Sequence, residues 1–524
     1  RSRAKASIVG RRRSSSQSLS RYCFRHFLYQ LYLYQDLDEV ERARLHQVTG
    51  EALETLAEEH SGEPTIAQAS PVYLAWHFEQ AGMKEKAIAY LRRAGERSYL
   101  LAANDEAISH YDRALELLNG MPESNEQIRQ ELLILISLTA ALNAARGYAE
   151  PELPRLFARA GDLAAKSAEA DLVSQTLFLR GSYHCARAEY QEMLETGAQL
   201  IELFLDEPIP WISDIANFLL GVGRLNMGEL VLAGEHFGKI KTGDDSDQLN
   251  YSQSLSGRFR LVYPVFLAWV YWLLGYPNKA LWLSRRLLTR VRESGNLNII
   301  AFTLGLSTCL IHAFRREFEE LQENAQELMV LSTEKKFTLY QAWGKVFLGW
   351  AQVEHGEVEA GLDNLRQGLA EYQATGHKMC LSLFSVMLAE AYGESGQAEK
   401  GLAEIERALA FIEETGERFA EAEALRVKGE LLSQRYQEMV EDGEIGETDL
   451  RVEECFRRAI KVACQQGAKS WQLRAVISLA RLLQQQSREA EAIGLLEDIT
   501  AWFTDGWDTP DLQEAQALLD ALRR

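Results

Sequence analysis

The chain carries few side chains whose types and spacing suit catalytic chemistry. Its ten histidines are scattered, and neither an H-E-x-x-H motif nor a cysteine cluster is present to hold zinc. The sequence also lacks a G-x-x-x-x-G-K-[ST] loop for phosphate and a G-x-S-x-G elbow for a nucleophilic serine. Paired carboxylates occur at Glu319-Glu320, Glu413-Glu414 and Glu441-Asp442, in company typical of solvated helix ends or loops. The sequence therefore predicts no catalytic residue, no cofactor site and no metal site, in a chain that is not an enzyme.

The most unusual cluster of side chains in the sequence is aromatic. Its members crowd one hairpin between residues 263 and 282, and Phe266, Trp269 and Trp272 fall on one stripe of its first helix. Such aromatics most often fill a core, and they anchor binding hot spots when they line a groove. We take the concave groove beside this hairpin as the candidate surface for a protein or peptide partner, or for a small effector. Its candidate residues are Tyr263, Phe266, Trp269, Trp272 and Tyr276.

A repeated helical hairpin must position these aromatics. Leu348-Gly349 is followed by Gly356 and Gly361, and each of these positions recurs 40 residues later, in Leu388-Ala389, Gly396 and Gly401. A fixed period of this length is typical of a solenoid, in which each unit buries its apolar face against its neighbours.

The repeated positions share physical requirements. A small residue on each helix lets two helices cross closely, and a glycine between the helices tolerates the positive φ that ends the first one. The positions that define the repeat are Ala75, Gly82, Ala87, Gly221, Gly228, Ala233, Ala268, Gly275, Ala280, Gly349, Gly356, Gly361, Ala389, Gly396, Gly401, Ala480 and Ala492.

This pattern of leucine with a small residue, then glycine, then alanine, resembles the tetratricopeptide repeat. The units depart from it in being nearer 40 residues than 34 and in mostly lacking its tryptophan and terminal proline. The longer unit is similar to repeats in the sensor arms of large bacterial signalling ATPases, such as the maltose-regulon transcription activator. The resemblance implies an all-α fold, an α-solenoid forming a right-handed superhelix.

Residues 21–60 differ from the repeats. They include Phe24-Arg25-His26, Tyr34, Leu37 and Leu45-His46. This run resembles the segment that closes the nucleotide-binding module of STAND-class signalling ATPases, which are often fused to adenylate or guanylate cyclase domains. By that resemblance, His26 lies where a winged-helix histidine senses nucleotide phosphate. A capping or core role for His26 is the alternative.

Charge divides the chain into two parts. Residues 1–26 hold eight bases and no acid, whereas the whole chain has a formal net charge of −20. The acidic body repels phosphate backbones, so we expect no nucleic-acid binding by the repeats. The basic run Arg11 to Arg13, followed by serines, is interpreted as part of a flexible linker, with a localisation or nucleic-acid signal as the alternative.

Two uncharged stretches, Leu261 to Asn278 and Ser294 to Phe314, approach the length of a membrane span. Because both keep the repeat register, we expect buried solenoid helices and no membrane contact. The six cysteines form no C-x-x-C pair and are interpreted as reduced core residues of a cytoplasmic protein.

The expected organisation has four parts: a basic linker (1–20), a junction with a winged-helix module (21–60), helical repeats (61–500) and a C-terminal capping helix (501–524). An acidic insertion, Glu438 to Asp449, is predicted to form a loop, and the closing helix is predicted from Leu512 to Leu522. We expect a non-catalytic sensor or scaffold arm of a bacterial signal-transduction ATPase, from whose sequence this chain is a piece. A free-standing peptide-binding adaptor is the alternative.

Overall fold

A computed structural model describes residues 7–8, 22–23, 27–59, 71–122, 124–147, 150–167, 169–206, 209–241, 255–441 and 448–524. His26 and most of the basic segment 1–20 lie outside these residues. Within that segment Ser7–Ile8 (β1) pairs antiparallel with Tyr22–Cys23 (β2). The chain forms two compact units, one of residues 1–97 and 109–123 and the other of residues 98–108 and 124–524.

Apart from β1 and β2, the secondary structure of the first unit in the described residues is helical. Its helices are α1 (Phe27–Asp36), α2 (Glu39–Glu59), α3 (Pro71–Gln80) and parts of α4 (Lys84–Leu100) and α5 (Asn104–Asn119). His46 on α2 is buried, and its Nδ1 lies 2.9 Å from Nδ1 of His77 on α3. Burial lowers the pKa of both imidazoles, with Arg42 adding to the effect on His46 and His46 adding to the effect on His77. Both shifts favour the neutral imidazole.

The second unit is a solenoid of helical hairpins, as the sequence predicts. Beyond its share of α4 and α5, its helices are α6 (Asn125–Arg146), α7 (Leu153–Lys166), α8 (Ala170–Ala186), α9 (Tyr190–Leu203), α10 (Pro210–Asn226), α11 (Leu230–Gly238), α12 (Leu255–Leu273), α13 (Pro277–Ser294), α14 (Leu297–Thr303), α15 (Leu310–Arg315), α16 (Phe318–Lys335), α17 (Thr338–Glu354), α18 (Val358–Ala374), α19 (Leu381–Glu394), α20 (Ala398–Thr415), α21 (Glu421–Glu441), α22 (Thr448–Gln466), α23 (Lys469–Gln485), α24 (Glu489–Thr500) and α25 (Pro510–Leu522). Helices that are consecutive in sequence pack against each other along this series. The predicted all-α solenoid class is confirmed.

The repeat-defining positions lie at turns and helix crossings. Gly82, Gly228, Gly275, Gly356 and Gly396 all have positive φ in the turns between paired helices. The alanines of the pattern are buried. The closest crossing joins α17 to α18, where a Cβ on Gly349 would lie 2.6 Å from the carbonyl oxygen of Gly361.

A π-helical segment, Leu304–Cys309, separates α14 from α15. One extra residue in a helical turn leaves a carbonyl free to accept a bond from outside the helix. Here the indole N–H of Trp269 donates to the carbonyl oxygen of Leu306. The interval from Ala268 to Cys309 is one residue longer than the 40-residue period and contains this segment.

Several boundaries differ from those expected. The predicted loop from Glu438 to Asp449 is helical at both ends, because α21 continues through Glu441 and α22 begins at Thr448. Glutamate and methionine at 438 and 439 favour helix, and the first helix breaker is Gly443. Residues 442–447 lie outside the described part. The closing helix starts at Pro510, two residues before the predicted Leu512, because proline suits the first helical position.

The cysteines are less uniform than expected. Cys185, Cys309 and Cys380 are buried, but Cys464 is exposed and Cys455 is only partly covered. Both of these lie on α22, whose outer face is open to solvent. The interpretation of every cysteine as a core residue was therefore wrong for these two.

Two described helical stretches are long and apolar enough to cross a membrane. They are Asn125–Arg146 and Leu297–Arg315, and 83% of the most apolar window of the second is buried within the protein. That burial matches the expected role of the second stretch as a solenoid core helix. The first stretch, α6, had not been singled out in the sequence.

The second unit winds back on itself, so that residues far apart in sequence meet. We call residues 124–374 the first winding and residues 375–524 the second winding. Helix-terminal carbonyls of the first winding, which lack partners within their own helices, accept bonds from the second. Ala186 accepts from the Lys378 N–H at 2.6 Å, and Asn226 accepts from the Arg418 N–H at 2.7 Å. Trp272 accepts from the Ser470 hydroxyl, 198 residues further along the chain.

Candidate functional site

The predicted aromatic hairpin lies where the two windings meet. Trp269 and Trp272 have 0% and 2% of their surface exposed, and Tyr263 and Phe266 are also buried. Tyr276 is partly buried at the turn before α13. The tryptophans thus follow the core interpretation, and neither is open to a partner at the surface of the described structure.

The tryptophans contact both windings. Trp272 stacks on Phe314 with ring centroids 4.5 Å apart, and its edge meets Trp471 of the second winding at 4.6 Å. Trp269 lies 5.9 Å from Phe419, also of the second winding. Their indoles form an aromatic layer that stabilises the stacking of the windings. Two cavities lie next to this layer. Phe266, which contacts Trp269, lines the first cavity, and Arg474, which contacts Trp272 and Trp471, lines the second.

The first, which we call the apolar cavity, has a volume of about 240 Å³. Four phenylalanines line it, and they lie on α8, α10, α12 and α14, the first helices of four successive hairpins. They are Phe178, Phe218, Phe266 and Phe302. Neighbouring rings in this row have centroids 5.8, 5.9 and 6.3 Å apart. Met379 of the second winding also lines the cavity. A cavity of this size and lining suits an apolar or aromatic group.

A few polar groups lie in the wall of the apolar cavity. The buried Oδ1 of Asn143 accepts no hydrogen bond from the residues that the structure describes. His377 has 5% of its surface exposed, and burial lowers its pKa to about 3. Because Tyr372 donates its hydroxyl proton to the carbonyl of Met379, the Nδ1–H of neutral His377 donates to that hydroxyl oxygen. The cavity therefore offers apolar contact with uncharged polar groups.

The second, which we call the polar cavity, has a volume of about 230 Å³ and lies beside α17, α19, α21, α23 and α25. Its charged lining residues are Arg316, Arg426, Arg474, Arg481, Glu354, Glu390, Glu394, Glu430, Asp511 and Glu514. Arg474 joins this cavity to the aromatic layer, because its guanidinium lies 5.3 Å from the Trp272 ring and 5.1 Å from the Trp471 ring.

Ion pairs fix most of these charges. Arg474 lies 2.8 Å from Asp511 and 3.2 Å from Glu423, and it also donates to the carbonyl of Phe314. Burial favours the neutral form of Glu423, but Arg426 and Arg474 outweigh burial and hold its pKa below the ordinary value. Glu354 behaves differently, since burial and the nearby Glu390 raise its pKa to about 7. Among the described residues, no group of three or more metal-ligating side chains is arranged to hold a metal ion.

The sequence analysis found Phe266 but missed the rest of both cavities. Phe178 and Phe218 are separated by the repeat interval of 40 residues, which is a signal that the sequence contains. The polar cavity has no such signal, because its residues come from helices whose inner faces converge only after the chain has wound.

The chain was compared with family models, with curated proteins and with solved structures. No family model matches the chain. A protein of Rhizobium meliloti (strain 1021), described as uncharacterised, is 25% identical over 383 residues, covering 71% of this chain and 36% of that protein. This chain thus spans about a third of that relative's length.

Solved helical-repeat structures are similar at low identity. The Cut9–Hcn1 hetero-tetramer of the APC/C is 12% identical with a TM-score of 0.45, covering 95% of this chain and 86% of that chain. The apo quorum sensor NprR from B. thuringiensis is 12% identical with a TM-score of 0.43, covering 72% and 99%. A Rap protein complexed with Competence and Sporulation Factor is 13% identical with a TM-score of 0.38, covering 76% and 98%. These likenesses concern the fold alone.

Proposed function

We propose that this chain is a non-catalytic scaffold or sensor arm whose solenoid binds an apolar or aromatic group of a peptide or small effector. The apolar cavity is the observation that carries this proposal. Its phenylalanine row offers apolar surface whose removal from water by a ligand stabilises the complex. The Oδ1 of Asn143 accepts no hydrogen bond from the described residues and can accept one from a donor of the ligand.

A ligand in the apolar cavity would contact both windings. Phe178, Phe218, Phe266 and Phe302 belong to the first winding, whereas His377 and Met379 belong to the second. His377 and Met379 flank Lys378, whose backbone N–H donates to Ala186 of the first winding. Ligand binding therefore favours arrangements in which the windings are stacked, and this population shift is the signal.

We further propose that the arm belongs to a multidomain signalling ATPase in the cytoplasm. Support comes from the resemblance of residues 21–60 to the closing segment of such ATPases and from the greater length of the Rhizobium meliloti relative. Sequencing the gene around this segment tests the assignment. A phosphate-binding loop encoded upstream supports it, whereas a start codon just before Arg1 supports the free-standing adaptor instead.

The binding proposal is tested with peptides. A displayed library of random heptapeptides is panned against the full chain, and the affinities of selected peptides are measured by calorimetry. Ala144 lines the apolar cavity, so Ala144→Phe should fill it and weaken binding by more than tenfold. Ala410→Phe introduces the same side chain at an exposed site on α20 and should leave the affinity unchanged. Equal affinities for both variants would place the binding site elsewhere and contradict the proposal.

A further inference from the structure

Each arginine that lines the polar cavity forms an ion pair with a carboxylate of the protein. Arg316 lies 3.1 Å from Glu514, and Arg481 lies 2.6 Å from the same side chain. Arg426 lies 2.7 Å from Glu390. Arg474 is engaged by Asp511 and Glu423, as described above. An anion entering this cavity would have to compete with a carboxylate already held by each guanidinium.

The carboxylates of the polar cavity outnumber the cations. Within the described part of the chain, neither Glu354 nor Glu394 forms an ion pair, and Glu354 also accepts no hydrogen bond. Glu354 is partly buried, whereas Glu394 is exposed at the rim. A partly buried carboxylate without a partner is costly, and a positive group brought beside it removes that cost.

Two further polar groups in the wall of this cavity have no hydrogen-bond partner among the residues that the structure describes. Trp350 precedes Glu354 by one helical turn on α17 and has 5% of its surface exposed, and its indole N–H finds no acceptor among the described residues. The buried Oε1 of Gln434 likewise receives no hydrogen bond. An indole beside a carboxylate is a combination that attracts organic cations, through the ring quadrupole as well as the charge.

We propose that the polar cavity binds a compact organic cation, an ammonium or guanidinium group on a short chain, with Glu354 as its counter-ion and Trp350 as its aromatic wall. The volume of about 230 Å³ fits one such group with its chain and excludes a folded element. A free amine and a basic side chain of a peptide share this chemistry. The site is separate from the apolar cavity, so the proposal stands or falls independently of the peptide-binding proposal.

Binding of a cation should depend on pH because Glu354 must lose its proton to act as counter-ion. The charged groups around it are Arg316 beyond α15, Glu390 and Glu394 on α19, Arg426 and Glu430 on α21, Arg474 and Arg481 on α23, and Asp511 and Glu514 on α25. Burial lowers the pKa of Arg426 and Arg474, but the neighbouring carboxylates outweigh burial and raise the pKa of both guanidinium groups above the ordinary value. Affinity should therefore rise with pH through the neutral region as Glu354 ionises.

The test uses calorimetric titration of the full chain with agmatine, which carries both a guanidinium and an ammonium group. We expect agmatine to bind at pH 8, at least tenfold more weakly at pH 5.5, and at least tenfold more weakly at pH 8 to the variant Glu354→Gln. Glu319→Gln removes a carboxylate whose side chain is 83% exposed outside the cavity, and it should bind agmatine as the unchanged protein does. Inorganic phosphate should not bind at either pH.

Two further probes separate the sources of the cation. Tighter binding of agmatine than of N-acetyl-arginine amide indicates a free amine, and the reverse indicates a basic side chain in a peptide. The proposal is overturned if the unchanged protein does not bind either cation, if Glu354→Gln binds agmatine as tightly, or if phosphate binds in the cation's place.

Discussion

At the scale of single residues, the pKa values of two buried groups make stability depend on pH in opposite directions. Glu354 has a pKa raised to about 7, so the folded protein binds its proton more tightly than the unfolded chain does. His377 has a pKa lowered to about 3, so the folded protein excludes a proton that the unfolded chain takes up. Each shift can be isolated by replacing the titrating group with an uncharged side chain.

The substitution Glu354→Gln should stabilise the protein at pH 8 and have little effect at pH 4.5. The raised pKa means that the contribution of protonated Glu354 is present below about pH 4.5 and is lost as pH rises through about 7. Since the group is partly exposed, we expect a gain of about 1–2 kcal/mol at pH 8 rather than the full shift. Urea unfolding at both pH values measures it, and a gain of equal size at both would contradict the assignment.

The substitution His377→Asn should reduce the loss of stability in acid. The lowered pKa means that the contribution of neutral His377 is present above about pH 6.5 and is lost as pH falls towards about 3. At pH 4.5 the difference from neutral pH amounts to about 2–3 kcal/mol for the unchanged protein. The check is the free energy of unfolding at pH 7 and pH 4.5 for both proteins. If the variant loses as much stability between the two pH values, another group is responsible.

An apolar helix face can be predicted from the sequence, whereas the residues that pack against that face cannot. The aromatic stripe of Phe266, Trp269 and Trp272 was visible from helical spacing alone. The partners that bury the tryptophans, Phe419 and Trp471, lie in another winding. A local pattern shows that a helix face is apolar, but it does not show what covers that face. For the same reason, Glu354, which has no ion-pair partner among the described residues, could not be distinguished in the sequence from the many solvated glutamates.

At the scale of elements, the turn glycines fall into two groups that share a backbone conformation but differ in their neighbours. Gly275 and Gly356 have φ of +91° and +85° in equivalent turns of their hairpins. A Cβ on Gly275 would lie 2.9 Å from the Cβ of Lys469 in the second winding, whereas a Cβ on Gly356 would meet nothing within 4 Å. Comparing alanine substitutions at these two glycines therefore separates the free-energy cost of backbone strain in the turn from the cost of the added contact between the windings.

Gly356→Ala should cost about 1 kcal/mol, because alanine is strained at positive φ. Gly275→Ala should cost about 1–3 kcal/mol more, because the added methyl group also pushes the windings apart. The free energies of unfolding of the two variants provide the measurement. Equal costs would show that the windings do not meet at Gly275 as closely as the structure places them.

The crossing of α17 and α18 should be the least tolerant element in the solenoid. A Cβ on Gly361 would lie 2.5 Å from the carbonyl oxygen of Gly349, and neither backbone can move without separating the helices. We expect Gly361→Ala to destabilise the protein by about 3 kcal/mol or more. Gly494→Ala is the matched control, since Gly494 lies within α24 with nothing near its added methyl, and it should stabilise by about 0.5–1 kcal/mol. The measurement is the free energy of unfolding of both variants, and equal changes would show that α17 and α18 do not cross as closely as the structure places them.

The period of 40 residues predicted the hairpins and their turns, because each unit makes the same local contacts. It did not predict the π-helical segment or the length of α21, since both depend on contacts or propensities at single positions. The Trp269 indole that uses the free carbonyl of Leu306 is the tertiary partner that accompanies the π segment.

At the scale of the second unit, the stacking of the two windings could not be predicted from the sequence. The repeat pattern describes how each hairpin packs on the next, whereas the return of the chain after nearly 200 residues depends on a small rotation at every step. Arg315 and Asp508, 193 residues apart, form one of the resulting ion pairs at 3.0 Å. Residues of both windings line each cavity.

Arg474 contacts the first winding at Trp272 and at the carbonyl of Phe314, and within the second winding it pairs with Asp511 and Glu423. Replacing it in Arg474→Met leaves Asp511 and Glu423 short of a cation and removes the bond to the Phe314 carbonyl. We expect a loss of about 3–5 kcal/mol, as is usual when one member of a buried network is removed. Arg292→Met, which breaks an exposed pair with Glu327, should cost less than about 1 kcal/mol. Denaturant unfolding of both variants decides, and a small loss at Arg474 would mean that other contacts hold the windings.

The central claim is that a ligand in the apolar cavity couples the two windings, and amide hydrogen exchange tests it most directly. The reporter is the Arg418 amide, which donates to Asn226 of the other winding and lies outside the cavity lining. With a selected peptide bound to the full chain, we predict slower exchange in fragments covering residues 415–421 as well as in those around Met379. Protection confined to the cavity walls, with unchanged exchange at Arg418, would contradict the claim.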